Sequence, residues 1–276
     1  MYKIVKKRKL NPLNTFFEVE APLIASSAKP GQFVVLIVDE KGERIPLTIM
    51  DWHTEKGTID IVSFEVGTST SKLAALNEGD NIAHVSGPFG RPIEVAEYGI
   101  VVCVGGGVGI AAIYPKARAY KEAGNKVISI IGARNKDLLV LEEEMADVSD
   151  ELIICTDDGS KGRKGFVTEA LKAVIKKREV DKVTAVGPLP MMKAVADLTK
   201  GYGIKTVVSL NSTMVDGTGM CGGCRVKVEG QQKFTCVHGP IFDAHKVDFD
   251  DLIKRNMQYS KKEKDSMEKH KCRLQS

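Results

Sequence analysis

Residues 98–120, YGIVVCVGGGVGIAAIYPKARAY, decide how this chain folds. From Ile100 to Val104 every residue is apolar, which suits a strand buried on both faces. Gly105, Gly106, Gly107 and Gly109 follow, with Val108 among them, and Ile110 opens a run that reads as a helix. A strand that ends in glycines and passes into a helix lets backbone amides and the helix N-terminus approach a pyrophosphate without Cβ obstruction. The stretch therefore predicts a dinucleotide site on a parallel sheet. The spacing is looser than G-x-G-x-x-G, and glycines placed for tight packing are the alternative; the order of strand, glycines and helix favours the nucleotide.

Toward the C-terminus the same alternation continues. Strands are expected at 125–134, 151–160, 182–188 and 204–210, and helices at 110–124, 137–149, 167–180 and 189–203. Apolar strands separated by helices indicate a parallel sheet covered on both faces. Ligands of such sheets bind outside the carboxyl ends of the strands, which makes Ala133, Arg134, Asp157, Asp158, Gly159, Gly187 and Pro188 further candidates for dinucleotide contacts. Asp157 and Asp158 suit ribose hydroxyls and repel a 2′-phosphate, favouring NADH. Lys161, Arg163 and Lys164 argue the other way.

Before Gly99 the grammar is different. Short β segments at 2–10, 15–21, 31–38, 44–52, 58–64 and 81–88 are divided by turn residues, which suggests a small antiparallel barrel or sandwich. One helix interrupts it near residues 71–79, opened by Thr70 and Ser71. Two motifs there suit a flavin. Arg44, Pro46, Leu47 and Thr48 place a guanidinium and a hydroxyl on one strand, and Gly67, Thr68, Ser69 and Thr70 precede the helix. Either alone is weak; followed by a nucleotide domain, they make FAD the expected cofactor. The segments divide the chain into a barrel at 1–98, a nucleotide-binding α/β domain at 99–210, a cysteine segment at 211–243 and a helical tail at 244–276.

The cysteine segment reads MVDGTGMCGGCRVKVEGQQKFTC from Met214 to Cys236. Cys221, Cys224 and Cys236 have the spacing Cys-x2-Cys-x11-Cys, one ligand short of the four that a [2Fe–2S] cluster or a structural zinc requires. Asp216 is the expected fourth ligand, and His238 its rival, which would make a Cys3His zinc set. Surrounding glycines favour a bulky cluster. Cys103 and Cys155 lie in strand-like runs and read as buried small hydrophobes, and Cys272 as an exposed, inert residue of the tail.

Composition excludes several classes. With 40 basic and 36 acidic side chains, no case for nucleic acid follows. The opening lacks the apolar run of a secretory leader, and no window approaches a membrane span, so a cytoplasmic protein is expected. No general acid, nucleophile or triad stands out, and His53 and His84 read as ordinary surface or core residues.

Taken together, the Arg44–Thr48 and Gly67–Thr70 motifs, the strings GGGVG and VGPLPMM, and the C-terminal cysteine loop resemble the ferredoxin–NADP reductase superfamily. Within it, MVDGTGMCGGCRV and FTCVHGPIFDAHKVDFDDL resemble the dihydroorotate dehydrogenase electron-transfer subunits. They are closer still to the small subunits of NADH-dependent reduced ferredoxin:NADP oxidoreductases, in which aspartate stands where this chain has Asp216. The resemblance implies an NADH-oxidising flavin and [2Fe–2S] subunit of a heterodimeric, electron-bifurcating transhydrogenase, or alternatively the electron-transfer subunit of an NAD-dependent dihydroorotate dehydrogenase. It also implies a larger, NADP-binding partner subunit with FAD and [4Fe–4S] clusters, through which ferredoxin is reached.

Overall fold

The computed structural model describes the backbone of residues 2–275 and side chains as far as Glu268. Its N-terminal half is β1 (Tyr2–Asn11), β2 (Asn14–Glu20), α1 (Pro22–Ala25), β3 (Phe33–Ile37), β4 (Arg44–His53), β5 (Thr58–Phe64), α2 (Thr68–Ala75), β6 (Asn81–Ile82) and β7 (His84–Phe89). These strands pair antiparallel in the order β6-β1-β2-β5-β4-β3-β7 and curl into a nearly closed barrel. Strand alternation decides what lies inside it: Ile59 and Ile61 of β5 join Phe17, Ile49 and Leu36 in the barrel core. Their neighbours Asp60 and Val62 point the other way.

The second half runs β8 (Ile100–Gly106), α3 (Gly109–Glu122), β9 (Lys126–Ala133), α4 (Glu142–Asp147), β10 (Glu151–Thr156), β11 (Arg163–Lys164), α5 (Val167–Lys177), β12 (Lys182–Val186), α6 (Leu189–Lys200) and β13 (Lys205–Ser209). Its parallel order, β11-β10-β9-β8-β12-β13, reverses direction between β8 and β12. Both faces are covered, as the unbroken apolar strands require: α5 and α6 pack on one core and α3 on the other. The α3 core also takes in Phe16, Met50 and Val62, so the outer face of the barrel is one wall of the nucleotide domain's interior. Arg118 of α3 locks the junction with a bidentate pair to Asp51 of β4, at 2.6 and 2.8 Å. Cys103 and Cys155 are buried, as expected.

Beyond β13 come the hairpin β14 (Arg225–Val228) and β15 (Gln231–Phe234), then α7 (Thr235–His238), β16 (Ile241–Asp243), α8 (Phe249–Asn256) and α9 (Ser260–Gln275). β16 pairs antiparallel with β13 and extends the sheet. The side chain of Cys272 lies outside the described residues.

Three local expectations are corrected. Residues 137–149 are not one helix: a 3-10 turn at Lys136–Leu138 is followed by extended chain, and Leu141, at φ 56, leads into the six-residue α4. Leu139, Val140 and Leu141 are all buried, and three consecutive residues cannot share one face of a helix. Helix α2 begins at Thr68, because the Thr70 hydroxyl accepts from the Gly67 amide and starts the turn earlier. The cysteine segment is not wholly loop, since Glu229 and Gly230 at positive φ make the tight turn of the β14–β15 hairpin.

Candidate functional site

The nucleotide crevice is built mainly from backbone. The carboxyl ends of β8, β9, β10 and β12 bring Gly105–Gly109, Ala133, Arg134, Asp157–Gly159, Gly187 and Pro188 to one edge of the sheet, at its switch point. Helix α3 packs so closely against β12 that a Cβ on Gly109 would collide with the Val186 carbonyl. A Cβ on Gly106 would meet the Met191 sulfur at 2.5 Å, and Pro188 closes the same side. The cradle is therefore one that side chains would fill, as a pyrophosphate site requires.

The loop after β10 separates two neighbouring carboxylates. The Ser160 hydroxyl and then the Ser160 amide, at 2.9 Å, hydrogen-bond to Asp158 and hold its carboxyl below the usual range, so it organises its own loop. Asp157 is exposed. Lys161 is drawn away by Glu142 at 2.7 Å.

The two flavin motifs converge on the barrel. Pro46, Leu47 and Thr48 are half-buried on β4 beside the exposed Arg44. Glu43, next to that arginine, accepts from Ser69 at 3.1 Å, and Lys72 reaches Asp39 at 2.7 Å. These bonds tie the N-terminus of α2, with Gly67–Thr70, to the start of β4. The first-turn amides of α2 have no partner within the helix. A half-buried apolar strip flanked by an arginine and a helix N-terminus fits a flavin and its pyrophosphate.

The cysteine loop lies on the far side of β3. Thr48 and Pro46 pair with Phe33 and Val35 of β3, and these two pack with Met214, Cys224, Cys236 and Phe89 in a small separate core. Neighbouring strands are about 4.8 Å apart, so the flavin motif on β4 is one strand away from residues that pack on the thiols. Gly217, at φ +77, turns the loop tightly there: a Cβ would press on Phe89 and Val35 at 3.1 Å. Sequence reading missed this Phe33, Phe89 and Met214 sheath, since the aromatic residues carry no motif of their own.

Cys224 and Cys236 present their sulfurs 3.2 Å apart, both buried and neither in a disulfide. Burial, and then the neighbouring Cys224 thiol, push the Cys236 thiol up to about 12. Only a strong local positive charge makes such a pair ionise, and metal centres supply it. Cys221 is exposed, and its sulfur does not join the other two within 4.8 Å: only Cys224 and Cys236 are brought together. Asp216 accepts from the amides of Thr218, Gly219 and Cys221 at 2.9, 3.2 and 2.6 Å. Desolvation opposes its ionisation, but the amide bonds outweigh it and hold the carboxyl below the usual range. The rival ligand His238 has Nδ1 committed to the Phe234 amide at 2.9 Å. Three thiols and an ionised carboxylate in a glycine-bent loop fit an iron–sulfur cluster.

Barrel, parallel-sheet crevice and thiol loop together define a flavin- and nicotinamide-dependent reductase with its own iron–sulfur segment. Residues 103–197 match the oxidoreductase NAD-binding domain, and residues 211–248 the iron–sulfur cluster binding domain of dihydroorotate dehydrogenase B. The dihydroorotate dehydrogenase B (NAD(+)) electron transfer subunit homolog of Thermotoga maritima is 49% identical over 267 residues, covering 97% of this chain and 94% of the relative. A probable electron transfer subunit from Methanocaldococcus jannaschii is 38% identical over 225 residues, 80% of this chain and 81% of that one. The chain belongs to the family of dihydroorotate dehydrogenase B electron-transfer subunits and their homologues. Among solved structures, that of the NADH-dependent reduced ferredoxin–NADP oxidoreductase superposes with a TM-score of 0.93 at 48% identity, over 98% of this chain and 97% of that one. The protein is an oxidoreductase subunit whose cofactors are FAD, an iron–sulfur cluster and NAD(H). Among the described residues no helix is long and apolar enough to cross a membrane.

Proposed function

We propose that this chain is the NADH-oxidising flavin and [2Fe–2S] subunit of an electron-bifurcating transhydrogenase that couples NADH, NADP and ferredoxin in the cytoplasm. The observation that carries this reading is the near-complete superposition, over 98% of the chain, on a structure described for flavin-based electron bifurcation. Asp216 in the thiol loop supports it. The large partner would bind NADP and carry FAD and the [4Fe–4S] clusters that reach ferredoxin, because this chain has no further cysteine sets for them.

Flavin interchanges two-electron hydride chemistry with one-electron transfer, and an iron–sulfur cluster accepts single electrons. The chain itself binds, orients and insulates. Gly105–Gly109, Ala133, Arg134, Gly187 and Pro188 would seat the pyrophosphate and nicotinamide halves of NADH. Asp157 would accept from the adenosine ribose, and its charge discriminates against a 2′-phosphate. Asp158 and Gly159 would shape that loop. Arg44 and the α2 amides from Gly67 to Thr70 would hold the FAD pyrophosphate, with Pro46, Leu47 and Thr48 along the ring. Asp216, Cys221, Cys224 and Cys236 would hold the cluster, and Phe33 and Val35 exclude water between the two. No residue need exchange a proton by general acid–base catalysis.

The second reading, electron transfer for NAD-dependent dihydroorotate oxidation, is favoured by the match of residues 211–248. Copurification from the native source with cofactor analysis decides between them. A large subunit with FAD and [4Fe–4S] is expected; an FMN-containing dihydroorotate enzyme would overturn the first reading.

A further inference from the structure

Outside the redox sites, three side chains on adjacent barrel strands converge without a role. Glu18 of β2, His53 of β4 and Asp60 of β5 each present one ligand atom, all within 4.8 Å of one another. His53 Nε2 lies 3.2 Å from Asp60 Oδ2. Register explains the meeting: Glu18 pairs with Asp60 across β2 and β5, and His53 pairs with Thr58, which donates to Glu18 at 2.8 Å. Asp60 is only 8% exposed, and its second oxygen, Oδ1, has no hydrogen-bond partner. A buried carboxylate oxygen without a donor is costly unless a cation meets it. Asp51, a further carboxylate that acts on Asp60, is paired with Arg118, so Glu18 and Asp60 leave surplus negative charge around one imidazole. Burial pushes the Asp60 carboxyl up, with the Glu18 and Asp51 charges adding to it and His53 opposing.

We propose that Glu18, His53 and Asp60 form a divalent-cation site of two carboxylates and one imidazole, suited to Mn2+ or Zn2+. Ligands bonded at about 2.1 Å to one ion lie roughly 3–3.5 Å apart, so modest side-chain rotation closes the set. The site cross-links β2, β4 and β5 on the face that meets α3, beside the Arg118–Asp51 pair. His53 stands five residues beyond Thr48 on β4, about 17 Å along an extended strand, so the site is separate from the flavin motif. Its role is to stiffen the barrel wall against which α3 packs.

The test uses the oxidised holoprotein and Mn2+, which prefers oxygen and nitrogen to thiolate. Free Mn2+ is followed by its EPR signal during titration of wild type, Glu18→Gln, His53→Gln, Asp60→Asn and the remote exposed control Asp147→Asn. One Mn2+ per wild-type chain is expected, unchanged in Asp147→Asn and weakened at least tenfold in the three site variants with their flavin spectra intact. In wild type alone, bound Mn2+ should selectively broaden the His53 ring resonances, which decides the matter if a variant loses its fold. Absence of that broadening, or equal binding by all five proteins, overturns the proposal.

Discussion

The nucleotide crevice and the cysteine loop are both glycine-rich, yet glycine serves opposite ends in them. At Gly109 it removes matter, so that helix α3 can touch β12 and leave amides open to a ligand. At Gly217 it supplies a left-handed turn that folds the loop against Phe89 and Val35. The crevice is a site made by absence of side chains; the loop is a site made by three thiols and a carboxylate. The first tolerates no added carbon, whereas the second tolerates no lost donor.

Gly109→Ala breaks the crevice at its tightest point. Overpacking against the Val186 carbonyl should cost about 1–3 kcal/mol of stability, and displacement of α3 should slow NADH reduction of the bound flavin at least a hundredfold. Stopped-flow flavin bleaching with a parallel melt checks it; wild-type reduction kinetics would show that α3 does not set the cradle. Cys224→Ser attacks the other region. It should remove the cluster spectrum and one-electron output while leaving flavin reduction by NADH within about twofold of wild type. A comparable collapse of flavin reduction would mean that the two sites are not separable.

Arg118→Met tests what joins the crevice's domain to the barrel. Its bidentate bond to Asp51 is mostly shielded, with side chains 26% and 14% exposed, so removing the cation strands a carboxylate. The loss expected for breaking such a half-buried pair is about 2–3 kcal/mol, read as a lower unfolding midpoint in urea. Restoring neutrality with Asp51→Asn in the same chain should recover part of it. Failure of that rescue would assign the loss to packing of Arg118 over Trp52 and Tyr114 instead.

The same contrast governs what the sequence discloses. Strand, glycines and helix at 100–120 are contiguous, so the crevice and the parallel sheet follow from local pattern, as do the thiols from their spacing. The sheath between flavin motif and thiols does not, because Phe33 and Phe89 meet only through barrel register and Met214 packs on them from a distant segment. Glu18, His53 and Asp60 are hidden for the same reason. Their convergence depends on which face each strand turns outward, which a one-residue shift would reverse. The misread helix at 137–149 fails on a subtler point. Its composition is helical, but burial of three consecutive residues overrode propensity.

Helix α9 supplies the smallest effect. It folds back on α2, where Ser266 meets the Thr68 hydroxyl at 3.1 Å and Ser71 points at the Met267 sulfur at 4.0 Å. Both contacts sit at the helix whose N-terminus we assign to the flavin pyrophosphate. They are solvent-accessible or weak, and a neutral hydrogen bond contributes about 0.5–1.5 kcal/mol at most when well shielded. The flavin helix is fixed instead by Ser69 to Glu43 and Lys72 to Asp39. Truncation after Tyr259 should therefore weaken FAD binding by no more than about threefold, measured by fluorescence recovery on dilution. A tenfold loss would make α9 a strap over the flavin site and shift the balance of that region from the barrel to the tail.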